Sequence, residues 1–385
     1  MTMTNLIPQK PRIAIVVTAK STAESFVFPL ARHLADRGSE VVVIADGLAS
    51  SIVGAAPGIE FVSVRMPRRP APILDLFAVR KLYTVFRNFE PAAVIYATPK
   101  ASLVASLSSR LAGVRSRVYL LWGLRLETTR RPARYVYWSL EKVTHRNSTL
   151  TIANSKSLAA KYVAERLGKA GEVIVVGDGS SHGVDLQKFS RASEFPEVDR
   201  ATRAWLDANR ERVVAGYVGR LNPDKGIDTL CAALNLIPAV SPVSLMVVGG
   251  GDGDTTVLES PTVPIHDVGH VDDPRPYFAE MAFLVLPSRR EGFPNVVLEA
   301  AAMGIPAIVS DATGCVDSVV DGETGLIFRA GDEVQLARAI SAIAVDTEFR
   351  QALGAAAQVR AERHFSQNEV LTANVDRLYQ EMARL

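Results

Sequence analysis

Two carboxylates eight positions apart, Glu291 and Glu299, bracket the run Gly292, Phe293, Pro294, Asn295, Val296, Val297, Leu298. Pro294 suits the first helical position, and the apolar stretch after it predicts a buried helix whose first amides, from Phe293 to Val296, point outward. Such a helix mouth attracts an anion. Glu291 would stand just before the mouth and Glu299 about 7 Å further along the axis. A ligand with a phosphate centre and hydroxyls on both sides fits that layout, and a nucleotide sugar has that shape. Taken alone, the two glutamates have a plainer reading: a loop acid favoured by the helix dipole and a solvated helical residue.

The run does not stand alone. Upstream, Val213 to Gly219 reads as a buried strand, followed by Arg220, Leu221, Asn222, Pro223, Asp224, Lys225, Gly226 and an apolar helix from Ile227. Two cations at a strand-to-helix turn suit a diphosphate, Arg220 as a bidentate clamp and Lys225 as a point charge.

On these residues the chain resembles the GT-B glycosyltransferases of the large retaining family that uses nucleotide-sugar donors, family 4. The matching segments are Gly219 to Gly226, Leu245 to Gly253, Phe283 to Ser288 leading into Glu291 to Glu299, Met303 to Ser310 and Val320 to Leu326, in the same order and spacing. The likeness is specific from about residue 213 to 330 and looser before that. The resemblance implies that Glu291 contacts the donor sugar's hydroxyls near the reacting carbon, that Glu299 binds the ribose diol, and that Arg220 and Lys225 hold the diphosphate and the charge growing on it. The donor-binding set it implies is Glu299, Gly219, Gly292, Phe293, Pro294, Asn295, Val296 and His270. His270 lies in the loop that in similar enzymes runs past the nucleobase; a surface histidine is the plainer account.

The first half departs from the family pattern twice. Thr18, Ala19, Lys20, Ser21 and Thr22 contain no glycine where many relatives have a glycine-rich turn, which puts close backbone approach to a ligand there in doubt. Leu121, Trp122, Gly123, Leu124 and Arg125 occupy the loop where relatives often carry a histidine. Arg125 and Trp122 are therefore acceptor-side candidates, beside the alternative of a structural Trp-Gly turn. His182, in a glycine-rich loop, is a third. No side-chain base is identifiable, and the resemblance implies a transfer in which the leaving phosphate itself takes the acceptor proton on the same face. Asp252 and Asp254 spell an acid-any-acid pattern that other sugar transferases use for a metal, but their place between strand and helix favours a turn and cap. With Arg220, Lys225 and a helix mouth to neutralise phosphate, the expectation is metal-independent transfer with no cofactor, the nucleotide sugar being a substrate.

The fold class implied is α/β, GT-B: two Rossmann-like domains with parallel sheets facing across a cleft. Residues 1–190 are expected to form an acceptor-binding domain, 191–366 a nucleotide-sugar domain, and 367–385 a terminal helix which in the resembled family packs back on the first domain. Strand-like runs near 12–18, 41–45, 60–64, 93–97, 117–121, 150–153 and 173–176 alternate with helical stretches, the pattern of a parallel sheet. Ser21 to Glu24 reads as a capping box opening the first helix. The loop from Gly177 to Asp185 reads as too polar and glycine-rich to be core, with Gly177 to Gly183 as a hinge; Arg191 to Arg212 reads as a charged linker. Ligands of such sheets bind at the carboxyl ends of the strands.

A chain of 385 residues exceeds one ordinary core. The two cysteines suggest no disulfide framework, the first ten residues hold no apolar signal core, and no stretch reaches the length of a membrane span. The expectation is a cytoplasmic protein. The net charge of +2 hides an asymmetry: residues 1–190 carry 26 Lys and Arg against 13 Asp and Glu, residues 191–385 carry 17 against 28. Basic clusters at 65–69 and at 130–138, the second interleaved with aromatics, suit anionic lipid headgroups, and a merely soluble basic face accounts for them equally well. No nucleic-acid module is recognisable.

Together these readings give transfer of a hexose or N-acetylhexosamine, from a UDP-sugar by family habit, to a saccharide or polyprenyl-diphosphate-linked saccharide in cell-surface polysaccharide assembly, at the inner membrane face. The loop from Gly179 to Asp185 resembles versions in capsule, exopolysaccharide and O-antigen enzymes. Two rivals remain: an isomerase of the UDP-N-acetylglucosamine 2-epimerase type on the same two-sheet plan, and a nucleotide-binding protein without catalysis. A dehydrogenase is disfavoured because no G-x-G-x-x-G follows either leading strand.

Overall fold

The computed structural model describes residues 10–48, 57–67, 71–250 and 260–385. Asp252, Asp254, Arg68 and Arg69 lie outside them. The chain divides into two compact units: residues 1–154, 159–182 and 370–385 in the first, 155–158 and 183–369 in the second.

The first unit runs β1 (Arg12–Ala19), α1 (Lys20–Thr22), a π-helical turn (Ala23–Val27), α2 (Phe28–Asp36), β2 (Glu40–Asp46), β3 (Ile59–Ser63), α3 (Pro72–Phe89), β4 (Ala93–Ala97), α4 (Pro99–Leu111), β5 (Ser116–Leu121), α5 (Ala133–Asn147), β6 (Leu150–Ala153), α6 (Lys156–Ala164) and β7 (Val173–Val175). Its seven strands are all parallel, in the order β3-β2-β1-β4-β5-β6-β7. Both faces of the sheet are covered, which is why these strands read as unbroken apolar runs instead of alternating ones. Ile13, Ile15 and Val17 of β1 point into one core with Leu30 and Leu34 of α2. The opposite face carries α4, packed over β1, β4 and β5. The capping box is not used: the helix begins at Lys20, and neither Ala19 nor Thr22 makes a side-chain cap. β1 instead runs straight into helix, so no glycine turn is needed.

The second unit runs α7 (Arg200–Ala208), β8 (Val213–Val218), α8 (Ile227–Leu236), β9 (Val243–Val248), β10 (Ile265–Gly269), α9 (Arg275–Glu280), β11 (Phe283–Leu286), α10 (Asn295–Ala302), β12 (Ala307–Ser310), β13 (Gly325–Phe328), α11 (Glu333–Val345), α12 (Thr347–His364) and the start of α13 (Gln367–Arg384). Its six strands are parallel in the order β10-β9-β8-β11-β12-β13. The rest of α13 belongs to the first unit, where Leu371, Val375 and Leu378 join the core of α2 and Asp376 meets Arg37 at 2.6 Å.

Two stretches differ from the sequence reading. The charged segment 191–212 is more than a linker: it carries α7, capped by Asp199, and buries Val198 and Thr202. The loop after β7 is less exposed than its composition suggests, with Ser180 and Val184 buried. Val184 pairs with Ser366 in an isolated parallel bridge, its amide donating to the Phe365 carbonyl at 2.8 Å.

Candidate functional site

In the second sheet the strand order reverses between β8 and β11, and at such a switch point the loops leave in opposite directions and open a crevice. The loop after β8 holds Gly219 to Gly226, and the loop after β11 holds Pro287 to Pro294. They are bound together. Lys225 Nζ donates to Glu291 Oε1 at 2.5 Å, the Arg290 guanidinium donates to Asp224 Oδ2 at 2.5 Å, and the Arg289 amide donates to the Asp224 carbonyl at 2.8 Å. Arg289 also pairs with Asp228.

Glu291 is held from three sides: by Lys225, by Ser288 Oγ at 2.7 Å, and through its amide, which donates to the Thr313 carbonyl at 2.9 Å. Ser288 is in turn fixed by the Ser310 hydroxyl, which donates to its carbonyl. A carboxylate so tethered presents its remaining lone pairs in one direction, as recognition of sugar hydroxyls requires. Two glycines make the packing feasible. Gly226 adopts φ +68° and passes so close to Pro287 that a Cβ would lie 2.0 Å from the Pro287 carbonyl oxygen; at Gly249 a Cβ would lie 1.9 Å from the Gly219 carbonyl oxygen. No other residue fits at either place. The Gly249 contact also ties the loops after β8 and β9, with the Gly219 amide donating to Val248 at 2.9 Å and Leu221 to Gly250 at 3.2 Å.

Arg220 is exposed, and its carbonyl accepts from the Tyr217 hydroxyl at 2.7 Å. α10 begins at Asn295, one residue later than expected: Pro294 occupies the cap position with φ −80°, ψ 98°, and no side chain caps the helix. Proline fits there because the cap residue needs an extended backbone, not a helical one. Gly292 and Phe293 are buried, Asn295 and Val296 half-buried. Glu299, one turn along, is half-buried too, and removal from water pushes its carboxyl up to about 7, with Lys188 acting in the opposite sense. Glu299 is therefore less solvated than the plainer reading has it. His270 stands on the surface, 80% exposed and 4.0 Å from Asp272.

The first unit has a different kind of site. Its order reverses between β1 and β4, where Thr18 and Thr98 join hydroxyls at 2.7 Å. Thr98 holds φ 69°, a strained conformation for a β-branched residue and one worth noticing at a switch point. In the same unit, the Phe26 ring lies 5.5 Å from that of Trp122 and 5.4 Å from that of His182, so the two sequence-predicted residues meet through a third that sequence reasoning missed. Phe26 sits in the π-helical turn, and only that turn's position after β1 could have signalled it. His182 accepts from or donates to Ser181 at 3.0 Å, and burial lowers its pKa to about 4, leaving it neutral. Trp122 rims a crevice with Asn154, Ser180 and Ser181, floored by Val118, Leu120 and Ile152. Arg125 stands apart, exposed in a short turn with its guanidinium 4.9 Å over the Tyr137 ring.

Two parallel sheets, each covered by helices and each with a switch point, define an α/β protein of two Rossmann-like units. The comparisons give its family. Residues 212–346 match the family described as Glycosyl transferases group 1, and residues 23–187 match Glycosyltransferase Family 4. The chain is 32% identical over 325 residues to the capsular polysaccharide biosynthesis glycosyltransferase CapM of Staphylococcus aureus, covering 82% of this chain and 83% of that one. It belongs to this family and is a glycosyltransferase. Among solved structures, the fold is shared with sucrose-phosphate synthase of Thermosynechococcus elongatus, TM-score 0.80 at 20% identity over 97% of this chain and 100% of that one. It is shared also with HepE of Anabaena in complex with UDP and glucose, TM-score 0.74 at 19% identity over 96% and 100%. Both are GT-B architectures.

Proposed function

We propose that the protein is a retaining glycosyltransferase that moves a hexose or N-acetylhexosamine from a UDP-sugar to a saccharide carried on a polyprenyl diphosphate, in cell-surface polysaccharide assembly. The observation that carries this reading is the Lys225–Glu291 pair at the switch point of the second sheet, a cation for phosphate joined to an acid for sugar hydroxyls. The role of CapM in capsular polysaccharide biosynthesis supports the pathway, and the UDP and glucose held by HepE support the donor class.

In this mechanism Lys225 and Arg220 hold the diphosphate, helped by the amides of Phe293 to Val296, while Glu299 accepts from the ribose diol. The bond from the anomeric carbon to phosphate oxygen breaks, the bond to the acceptor oxygen forms on the same face, and the acceptor proton passes to the departing phosphate. Lys225 and Arg220 stabilise the charge left on that phosphate, the kind of term that dominates most rate enhancements. Such cations make a divalent ion unnecessary, so transfer should continue in EDTA. The location proposed is the cytoplasmic face of the membrane; no helix among the described residues is long and apolar enough to cross it.

The test is a panel of UDP-, GDP- and ADP-sugars, each offered with and without a lipid-linked acceptor. The expected result is product of retained configuration from one UDP-sugar only when acceptor is present. Conversion of the donor by itself into another sugar nucleotide would replace this reading with an isomerase, and unchanged synthesis by Glu291→Ala would remove the assigned site.

A further inference from the structure

The crevice beside Trp122 lies wholly within the first unit, and its lining changes character along the strands that build it. Residues two apart on a strand share a face. On β5 that face runs Val118, Leu120 and then Trp122; on β6, paired with it, the face runs Leu150, Ile152 and then Asn154. Apolar side chains thus give way to a ring and an amide at the carboxyl edge of the sheet, the edge where ligands of such sheets bind. Leu30 of α2 and Leu378 of α13 wall the space, which measures about 520 Å³ with its open mouth included. That is room for one sugar ring with its substituents.

Separate elements supply its polar groups. The loop after β7 folds back so that the Ser180 amide donates to the Asn154 carbonyl at 2.7 Å, and Ser180 takes φ 73°, a left-handed conformation that costs a serine free energy. The turn sets Ser180 and Ser181 beside Asn154, and Asn154 and Ser180 are only 6% and 5% exposed. From α13, Asn374 uses one donor on the Val370 carbonyl at 2.8 Å and keeps an acceptor oxygen. None of the described residues lining the crevice carries a charge. A phosphate or carboxylate therefore meets no counter-charge here, and a plain hydrocarbon would use the floor but not the amides and hydroxyls. A fully hydroxylated sugar has the opposite defect, because a hydroxyl pressed on Val118, Leu120 and Ile152 is left without a partner. An acetamido sugar fits all three parts: its methyl suits the floor, its amide N–H and C=O suit the polar groups, and the C–H face of its ring suits Trp122.

We propose that this crevice selects an acetamido sugar of the acceptor, with the methyl group on Val118, Leu120 and Ile152, the amide among Asn154, Ser181 and Asn374, and the ring against Trp122. Stacking on Trp122 accepts many sugars; the crevice supplies the choice between acetamido and hydroxyl. This rests on the saccharide-acceptor reading for its purpose. The binding itself needs neither donor nor transfer.

The experiment is saturation-transfer NMR on the full chain without donor, offering the methyl glycosides of glucose and galactose beside their N-acetylhexosamine and 6-deoxy counterparts. At least one acetamido glycoside should bind about tenfold or more tightly than its parent hexose, with the acetyl methyl protons receiving the strongest saturation. Leu120→Phe, which fills the floor, should weaken that binding about tenfold and lower the methyl signal. Asn374→Leu removes one polar group at a helical position where leucine is a good helix former, and should weaken it about fivefold while the protein stays folded. Equal binding of acetamido and hydroxyl sugars overturns the proposal, as does saturation confined to ring protons, or wild-type affinity in both variants. A 6-deoxy sugar bound as tightly as the acetamido one also overturns it, since a methyl without an amide would then suffice. Transfer to acceptors ending in the same sugars, measured in parallel, separates the two readings. Acetamido binding without transfer to any acceptor would keep the crevice and remove the saccharide-acceptor assignment. Transfer at equal kcat/KM to acetamido and hydroxyl acceptors, with no glycoside bound, would keep the transferase and overturn the crevice.

Discussion

The two sheets reverse direction at equivalent places and furnish them oppositely. Between β8 and β11 the second unit sets a lysine and a glutamate 2.5 Å apart within loops that glycines and ion pairs lock together. Between β1 and β4 the first unit sets two threonine hydroxyls, and it gathers Phe26, Trp122 and a neutral His182 into an aromatic group. A charged, tightly braced site suits a ligand whose charge changes during reaction, since fixed charges need no reorganisation as the bond breaks. An uncharged aromatic wall suits stacking on a sugar ring, a binding surface tolerant of different partners. On the proposed function, the contrast would put bond breaking in the second unit and acceptor choice in the first.

The largest effect should come from breaking the charged site. Lys225→Ala is expected to lower kcat about 100-fold or more, the usual consequence of removing one group that meets developing charge. It also leaves Glu291 without its cation, so Lys225→Ala with Glu291→Gln should lose far less than the product of the two single losses. Steady-state rates on the four proteins measure this. Additive losses would show that the pair does not work as a unit.

Next comes Glu299→Gln, which separates binding from chemistry. Nucleotide affinity should fall about tenfold, the worth of hydrogen bonds to a charged group, with kcat changed much less. In the free protein the sign reverses. The carboxyl titrates near 7 when folded against 4.5 otherwise, so between those values the folded state binds more protons and stability falls as pH rises. The glutamine variant lacks that slope and should be the more stable protein at pH 8. Melting curves from pH 5 to 8 without ligand test the point, and parallel curves for the two proteins would refute it.

Much of this was readable in the chain. Buried parallel strands announce themselves as apolar runs, and Arg220, Lys225, Glu291 and Glu299 have types and turn contexts that point to phosphate and sugar. What the sequence did not disclose follows from its periodicity being local. The Lys225–Glu291 contact joins residues 66 apart, and only the adjacency of β8 and β11 creates it. Phe26 carries no chemistry by type, and the π turn that aims it has no pattern. Ser21 to Glu24 spelled a cap, yet β1 ran on into helix and the motif fell inside it. Segment 191–212 read as a linker because its charged face outweighs the few residues, Val198 and Thr202, that it buries. α3 is apolar on two sides, and hydrophobic spacing cannot say which side faces protein.

On the first unit the expected effects are smaller and confined to the acceptor. Trp122→Ala should raise the acceptor KM about tenfold, with donor hydrolysis within about twofold of wild type, as loss of one aromatic platform predicts. Phe26→Ala should follow it in the same direction. An equal rise in donor KM would erase the division between the units. His182 adds a control: its folded pKa of about 4 keeps it neutral, so kcat/KM should show no inflection from it between pH 5 and 8, and His182→Gln should leave the profile's shape intact.

The smallest expected effect tests whether the braces of the second unit serve its site or only its fold. Asp199 caps α7, accepting from the amides of Ala201 at 2.9 Å and Thr202 at 3.0 Å and from the Thr202 hydroxyl at 2.5 Å. Those bonds lower its pKa from 3.8 to about 2, the Thr202 hydroxyl bond contributing most. Thr202 passes the link to His266 of β10 at 2.9 Å, on the edge of the sheet away from β11. Asp199→Ala should therefore cost about 1 kcal/mol of stability near neutral pH. The deficit should shrink as pH falls from 3.8 through 2, where the carboxylate that makes the cap becomes protonated. Rates at saturating substrate should not change. A loss of turnover at a temperature where the variant remains folded would mean that rigidity at the β10 edge reaches the β8 and β11 loops, and the charged site would then owe its geometry to the whole sheet, not to its local glycine and ion-pair contacts.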